Sequence, residues 1–209
     1  SQHLISDTSH ISSSLRYLNL DYTNLRGVLT ESFFLVPNSL ETVKLSGNDL
    51  LKGVFPKIHR SNTLLMELDI SYTGISGCQF SGTIPDSIGN LTQITELVLS
   101  NNHFTDHIPS TISKFKHLTL FDLSSNSFSG EIPDVFSNLQ QLRYLYLNDN
   151  SFIGSFPSTV LNLTHLATLN LRNNSLSGPL PSNASMLQKL TELELSYNSL
   201  NGTIPSWVF

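Results

Sequence analysis

The sequence predicts an α/β solenoid, a stack of short coils sharing a parallel sheet, and three observations predict it. Apolar residues return at Ile94, Leu118, Leu142, Leu166 and Leu190, a constant step of 24 residues. Each step opens with an alternation such as Leu142, Leu145 and Leu147, the pattern of a short strand with its leucines on one face. Each then passes through an asparagine, a glycine and an Ile-Pro or near variant, as in Asn126, Gly130, Ile132 and Pro133. One such unit cannot bury its apolar face alone, so a repeat of this length implies stacking into one array. About eight coils start near 15, 40, 65, 94, 118, 142, 166 and 190, and residues 1–209 form a single array.

Within a coil, the parallel strand is placed on the concave face. Asn48, Asn102, Asn126, Asn150, Asn174 and Asn198 follow it, where an amide has donors and acceptors for the backbone of the turn. Thr23 and Thr73 hold that place in the first and third coils, with less bonding capacity. Glycines such as Gly130 permit the next bend; Asp106 stands where a glycine is expected. The segment beyond is expected to be extended but irregular, because its prolines suit edges and turns. A short helical turn on the convex side then carries Ile88 and Leu91, Ile112 and Phe115, Val160 and Leu163, and Met186 and Leu187 inward, while His59 and Asn62 fill these places poorly.

The third coil, 65–93, is irregular. Gly74 to Gly77 and Cys78 to Gly82 look like one half-unit written twice, which fits either a five-residue insertion or two repeats that lost residues between them. Either predicts a bulge carrying Cys78. The chain opens in the tail of an earlier coil and stops at Trp207, Val208 and Phe209, so the array reads as an uncapped internal piece of something longer. Its apolar ends predict self-association.

Composition narrows the function. Only 13% of residues are charged and the net charge is −5, which argues against a nucleic-acid partner. No apolar run approaches the ~20 residues of a membrane helix, and Ser1 to Ser14 is too polar for a signal peptide. The lone Cys78 forms no internal disulfide. No nucleophile elbow, phosphate loop or metal-ligand spacing stands out, so no enzyme activity, cofactor or metal is expected. His103 and His107 are read as solvated residues of the irregular segment.

The motif Leu-x-x-Leu-x-Leu-x-x-Asn-x-Leu/Phe-x-Gly-x-Ile-Pro resembles the plant-specific leucine-rich repeat over nearly the whole chain. Stretches such as Asn198 to Phe209 and Leu25 to Leu29 are similar to ectodomains of plant disease-resistance receptor-like proteins. That resemblance implies an extracellular, plasma-membrane receptor with a protein or peptide ligand and a co-receptor kinase reached through parts outside this chain. Polygalacturonase-inhibiting proteins share the repeat, so an extracellular enzyme inhibitor is the alternative; a structural or ice-binding array is a third.

Counting outward places on the strand side collects all six tyrosines, Tyr17, Tyr22, Tyr72, Tyr144, Tyr146 and Tyr197. It also collects the acids Asp21, Glu41, Glu67, Asp69, Glu96, Asp122, Asp149, Glu192 and Glu194. Only Arg16, Lys44, Arg143 and Arg172 oppose them, so this face carries the net negative charge. The expected ligand face is therefore acidic and rich in tyrosine, a common interface anchor. Its expected centre is Arg143, Tyr144, Tyr146 and Asp149 beside Asp122 and Arg172, with Tyr72, Tyr197, Glu194, Tyr17 and Tyr22 around it. N-glycosylation sequons fall at Asn90, Asn162, Asn173, Asn183 and Asn201, a number that composition alone yields. Asn90, Asn162 and Asn183 map to the convex side, whereas Asn173 maps to the margin of the strand face.

Overall fold

The alternation of leucines resolves into strands, and their repetition into sheets. The computed structural model describes residues 14–29, 39–58, 64–72, 80–183 and 187–209. Each coil contributes two strands. They are β1 (Tyr17–Asn19) and β2 (Arg26–Leu29), β3 (Thr42–Lys44) and β4 (Leu50–Val54), β5 (Glu67–Asp69) and β6 (Phe80–Gly82), and β7 (Glu96–Val98) and β8 (His103–Asp106). Then come β9 (Leu120–Asp122) and β10 (Ser127–Glu131), β11 (Tyr144–Tyr146) and β12 (Ser151–Gly154), β13 (Thr168–Asn170) and β14 (Ser175–Pro179), and β15 (Glu192–Glu194) and β16 (Ser199–Asn201).

The odd-numbered strands form one eight-stranded parallel sheet in sequence order, and the even-numbered strands form a second. The second sheet corrects the expectation of an irregular segment after the asparagine. His103 accordingly lies on a strand, β8. The longer third coil does not disturb the first sheet: Leu68 pairs with Leu97 as Leu145 pairs with Leu169. Thr73, Gly74 to Gly77 and Cys78, with His59, Asn62 and Met186, lie outside the described residues.

The inward leucines vanish from solvent as the spacing requires: Leu97, Phe121, Leu145 and Leu169 are fully buried. Beneath the second sheet Phe104, Phe128 and Phe152 stack with centroids 6.2 and 6.3 Å apart, and Phe55 meets Phe104 edge-on. On the far side, 3-10 turns at Asp86–Asn90, Ser110–Lys114 and Ser158–Asn162 follow Pro85, Pro109 and Pro157. They bury Ile88 with Leu91, Ile112 with Phe115 and Val160 with Leu163, the expected pairs.

The asparagines tie each coil to the one before. Asn126 Oδ1 accepts the N–H of Phe104 at 3.0 Å, while its Nδ2 donates to the carbonyls of Leu99 and Leu123 at 2.9 and 3.2 Å. Asn150, Asn174 and Asn198 repeat this geometry. Thr23 makes the smaller set expected of a hydroxyl, donating to Leu20 O and to Asn48 Oδ1. In the second coil the N–H of Leu51 donates back to Asn48 O at 3.0 Å. Asp106 adopts φ 71°, close to Gly82 (83°) and Gly130 (76°) of the neighbouring coils. It therefore accepts a left-handed conformation that glycine adopts without steric cost.

Candidate functional site

The register of the first sheet places outward side chains in straight rows. One row runs Glu96, Leu120, Tyr144, Thr168 and Glu192, because each is paired with the next across the strands. A second row runs Val98, Asp122, Tyr146, Asn170 and Glu194. Arg143 and Arg172, one place before β11 begins and two after β13 ends, stand outside these rows. Tyr144 is 39% exposed, and Tyr146 beside it is half-buried. An aromatic pair thus occupies the middle of the face with carboxylates on both sides.

The flanking carboxylates are held by hydrogen bonds rather than by cations. Asp122 accepts the Ser124 N–H at 2.9 Å and the Ser124 hydroxyl at 2.6 Å. Glu194 accepts the Ser196 N–H at 3.0 Å, and that bond holds its carboxyl below the usual range. Thr168 donates to Glu192 at 3.3 Å. Burial pushes the Tyr146 phenol up; the negative charge of Glu192 adds to this, and a hydrogen bond with Thr168 opposes it.

A collar of left-handed residues borders the rows. Tyr22, Asn101, Ser125, Asp149, Asn173 and Tyr197 occupy the same place in six coils, all at φ 52–55°. Non-glycine residues seldom adopt this region, and the asparagines and aspartate among them tolerate it best. The conformation turns Tyr197 out to 72% exposure, where the Arg172 guanidinium lies 5.0 Å from its ring centre. Asp149 accepts Asn148 Nδ2 at 2.7 Å through one oxygen and Asn173 Nδ2 at 2.8 Å through the other.

These placements sort the residues expected from sequence. Tyr17, Tyr22, Tyr144 and Tyr197 are exposed, and Arg143, Arg172, Asp122, Asp149 and Glu194 reach the surface beside them. Tyr72 is a correction. It holds the collar place of the third coil but is outside the left-handed set among the described residues, and it is only 4% exposed. It lines a small internal space together with Asn48, Asn102, Leu45, Leu51 and Phe80, and its buried hydroxyl has no hydrogen-bond partner. Arg143 and Arg172 make no ion pair with Asp122 or Asp149 among the described residues. Among the described residues, ion pairs join Arg16 to Glu41 (2.9 Å), Lys44 to Glu67 (3.3 Å) and His107 to Asp106 (3.1 Å). Glu96 and Glu192 lie in line with the aromatic centre; counting by the 24-residue step was the signal that could have placed them there.

The sequon asparagines differ in what their amides do. Asn90 Nδ2 donates to Ile58 O at 2.6 Å and Asn173 Nδ2 to Asp149, while Asn162, Asn183 and Asn201 have exposed side chains.

Comparison with known proteins agrees with the repeat geometry. A family model described as leucine rich repeat matches residues 86–152, and a second of the same description matches 64–91, 165–187 and 189–209. The chain belongs to the leucine-rich repeat family. Receptor-like protein 6 of Arabidopsis thaliana is 45% identical to it over 86 residues, which is 41% of this chain and 8% of that protein. The crystal structure of the Arabidopsis receptor kinase HAESA, in complex with the peptide hormone IDA and the co-receptor SERK1, superposes with a TM-score of 0.81 at 31% identity. That match covers 93% of this chain and 32% of HAESA. The leucine-rich repeat ectodomain of GASSHO1/SCHENGEN3 from Arabidopsis thaliana, in complex with CASPARIAN STRIP INTEGRITY FACTOR 2, follows at a TM-score of 0.74 and 28% identity, covering 92% and 25%. The leucine-rich repeats here thus resemble those of plant receptors, and they span a small part of each receptor's length.

Proposed function

We propose that this leucine-rich repeat array is the ligand-recognition module of a plant cell-surface receptor-like protein acting in defence. On this reading it faces the extracellular space and holds a protein or peptide on its concave strand face. A co-receptor kinase engages the assembled receptor. The observation that carries the proposal is the partly exposed pair Tyr144 and Tyr146, set among carboxylates on a rigid sheet. Aromatic side chains with two rotatable bonds give contact area at small entropic cost, and rigid strands position them without reorganisation. The likeness to HAESA, solved with the peptide hormone IDA, supports the same reading.

The test is panning of a random peptide library against the 209-residue chain, followed by Tyr144→Ala with Tyr146→Ala. Selected peptides are expected to lose about tenfold or more in affinity, as for a hot-spot pair, while the melting temperature is kept. Unchanged affinity would remove the strand face from consideration.

A further inference from the structure

The two outward rows differ from the rest of the face in a way that specifies a ligand. In the second row Asp122, Tyr146, Asn170 and Glu194 lie on four consecutive strands, β9, β11, β13 and β15. Carboxylates therefore stand three strand steps apart, about 14 Å at the usual spacing between strands. An extended peptide lying across the strands advances about 3.3 Å per residue, so it covers that distance in about four residues. Side chains at i, i+2 and i+4 of such a peptide point to the same side. The first row brackets its apolar centre likewise, with Glu96 before Leu120 and Tyr144, and Glu192 beyond Thr168.

None of these four carboxylates has a cationic side chain within ion-pair distance among the described residues. On the earlier strands the opposite holds, since Lys44 already meets Glu67 and Arg16 meets Glu41. Arg172 lies over the Tyr197 ring, and its charge only adds to the hydrogen bonds that hold the Glu194 carboxyl low. The charges on β7 to β15 are thus left to a partner.

We infer that the strand face binds an extended peptide with basic side chains at i and i+4 and an apolar or aromatic side chain at i+2. The basic groups sit over Asp122 and Glu194, and the central side chain sits on Tyr146. This rests on the recognition role proposed above and adds to it the charge, the spacing and the direction of the ligand across the strands.

The experiment titrates the full chain with short, end-blocked synthetic peptides in low salt. One carries arginine at i and i+4 around a phenylalanine at i+2. A second has the same composition with the arginines at i and i+3, and a third replaces both with glutamine. The first is expected to bind about tenfold more tightly than either control, the combined effect of two exposed ion pairs. Asp122→Asn with Glu194→Gln is expected to erase that preference, since both variants keep the acceptor that Ser124 or Ser196 uses. Equal binding of all three peptides, lost in Tyr144→Ala with Tyr146→Ala, would overturn the charge spacing and leave the face in place. Binding that ignores the tyrosine variants would overturn both. No binding of the first peptide up to millimolar concentration would overturn the charge spacing, and the library panning would then judge the face on its own.

Discussion

The first three coils and the last five are built from the same repeat, yet they use their side chains differently. In the first three, outward charges neutralise one another through Arg16 with Glu41 and Lys44 with Glu67. The third turns its collar tyrosine, Tyr72, into the interior. In the last five, asparagines bond coil to coil without a break, and Phe104, Phe128 and Phe152 stack beneath three of them. Outward acids such as Asp122 and Glu194 are held there by hydrogen bonds, without an ion pair to lysine or arginine among the described residues. The difference teaches that regularity of the scaffold is what frees a face for recognition. Where the repeat falters, surface groups are drawn into holding the molecule together.

The largest expected effect strikes the regular region. Asn126→Ala leaves the Phe104 N–H without its partner and takes one of two amide donors from the Leu99 carbonyl, which keeps Asn102, and should cost about 1–3 kcal/mol. Thr23→Ala, which removes one hydroxyl from an exposed turn, should cost under about 1 kcal/mol. Urea unfolding of both variants checks the ratio, and equal costs would erase the contrast between the regions.

Next comes a change of opposite sign. Tyr72→Phe removes a buried hydroxyl that has no partner and keeps the ring, so it should stabilise by about 1 kcal/mol. Tyr144→Phe on the open face should leave the melting temperature unchanged.

The smallest effect concerns acid titration on the earlier strands. Burial raises the Asp69 carboxyl above its ordinary value of 3.8, with the Ser71 hydrogen bonds opposing. A carboxyl whose folded pKa is raised favours folding while protonated, so its contribution is present below 3.8 and is lost as pH rises through the folded value. Asp69→Asn keeps the acceptor for Ser71 and does not titrate. Stability of the wild type should therefore fall relative to the variant as pH rises above 3.8, measured as denaturant midpoints over a pH series.

Much of this was legible in the sequence because one physical rule dominates it. Leucines two residues apart must face inward together, so counting from Leu142 places Tyr144 and Tyr146 outward, and the 24-residue step aligns them with Asp122 and Glu194. The second sheet was not legible. Its strands, such as Ser127–Glu131, contain a glycine and face solvent with serines, a weak strand signal until a neighbouring coil supplies hydrogen bonds. Tyr72 was missed for a related reason. Spacing alone puts Tyr72 in the same outward place as Tyr22 and Tyr197, but those two adopt the left-handed backbone there and Tyr72 does not. The contact of Arg172 with the Tyr197 ring has no signal in the strand periodicity.

The constant register makes the molecule a ruler with fixed divisions. Inserting or deleting one whole coil between β9 and β15 would leave every leucine in phase, yet move Asp122 and Glu194 apart or together by one division of about 4.8 Å. Selectivity would then change in jumps, never by degrees. Duplication of a single 24-residue unit could retarget such a surface in one event, with no substitution at any contact residue.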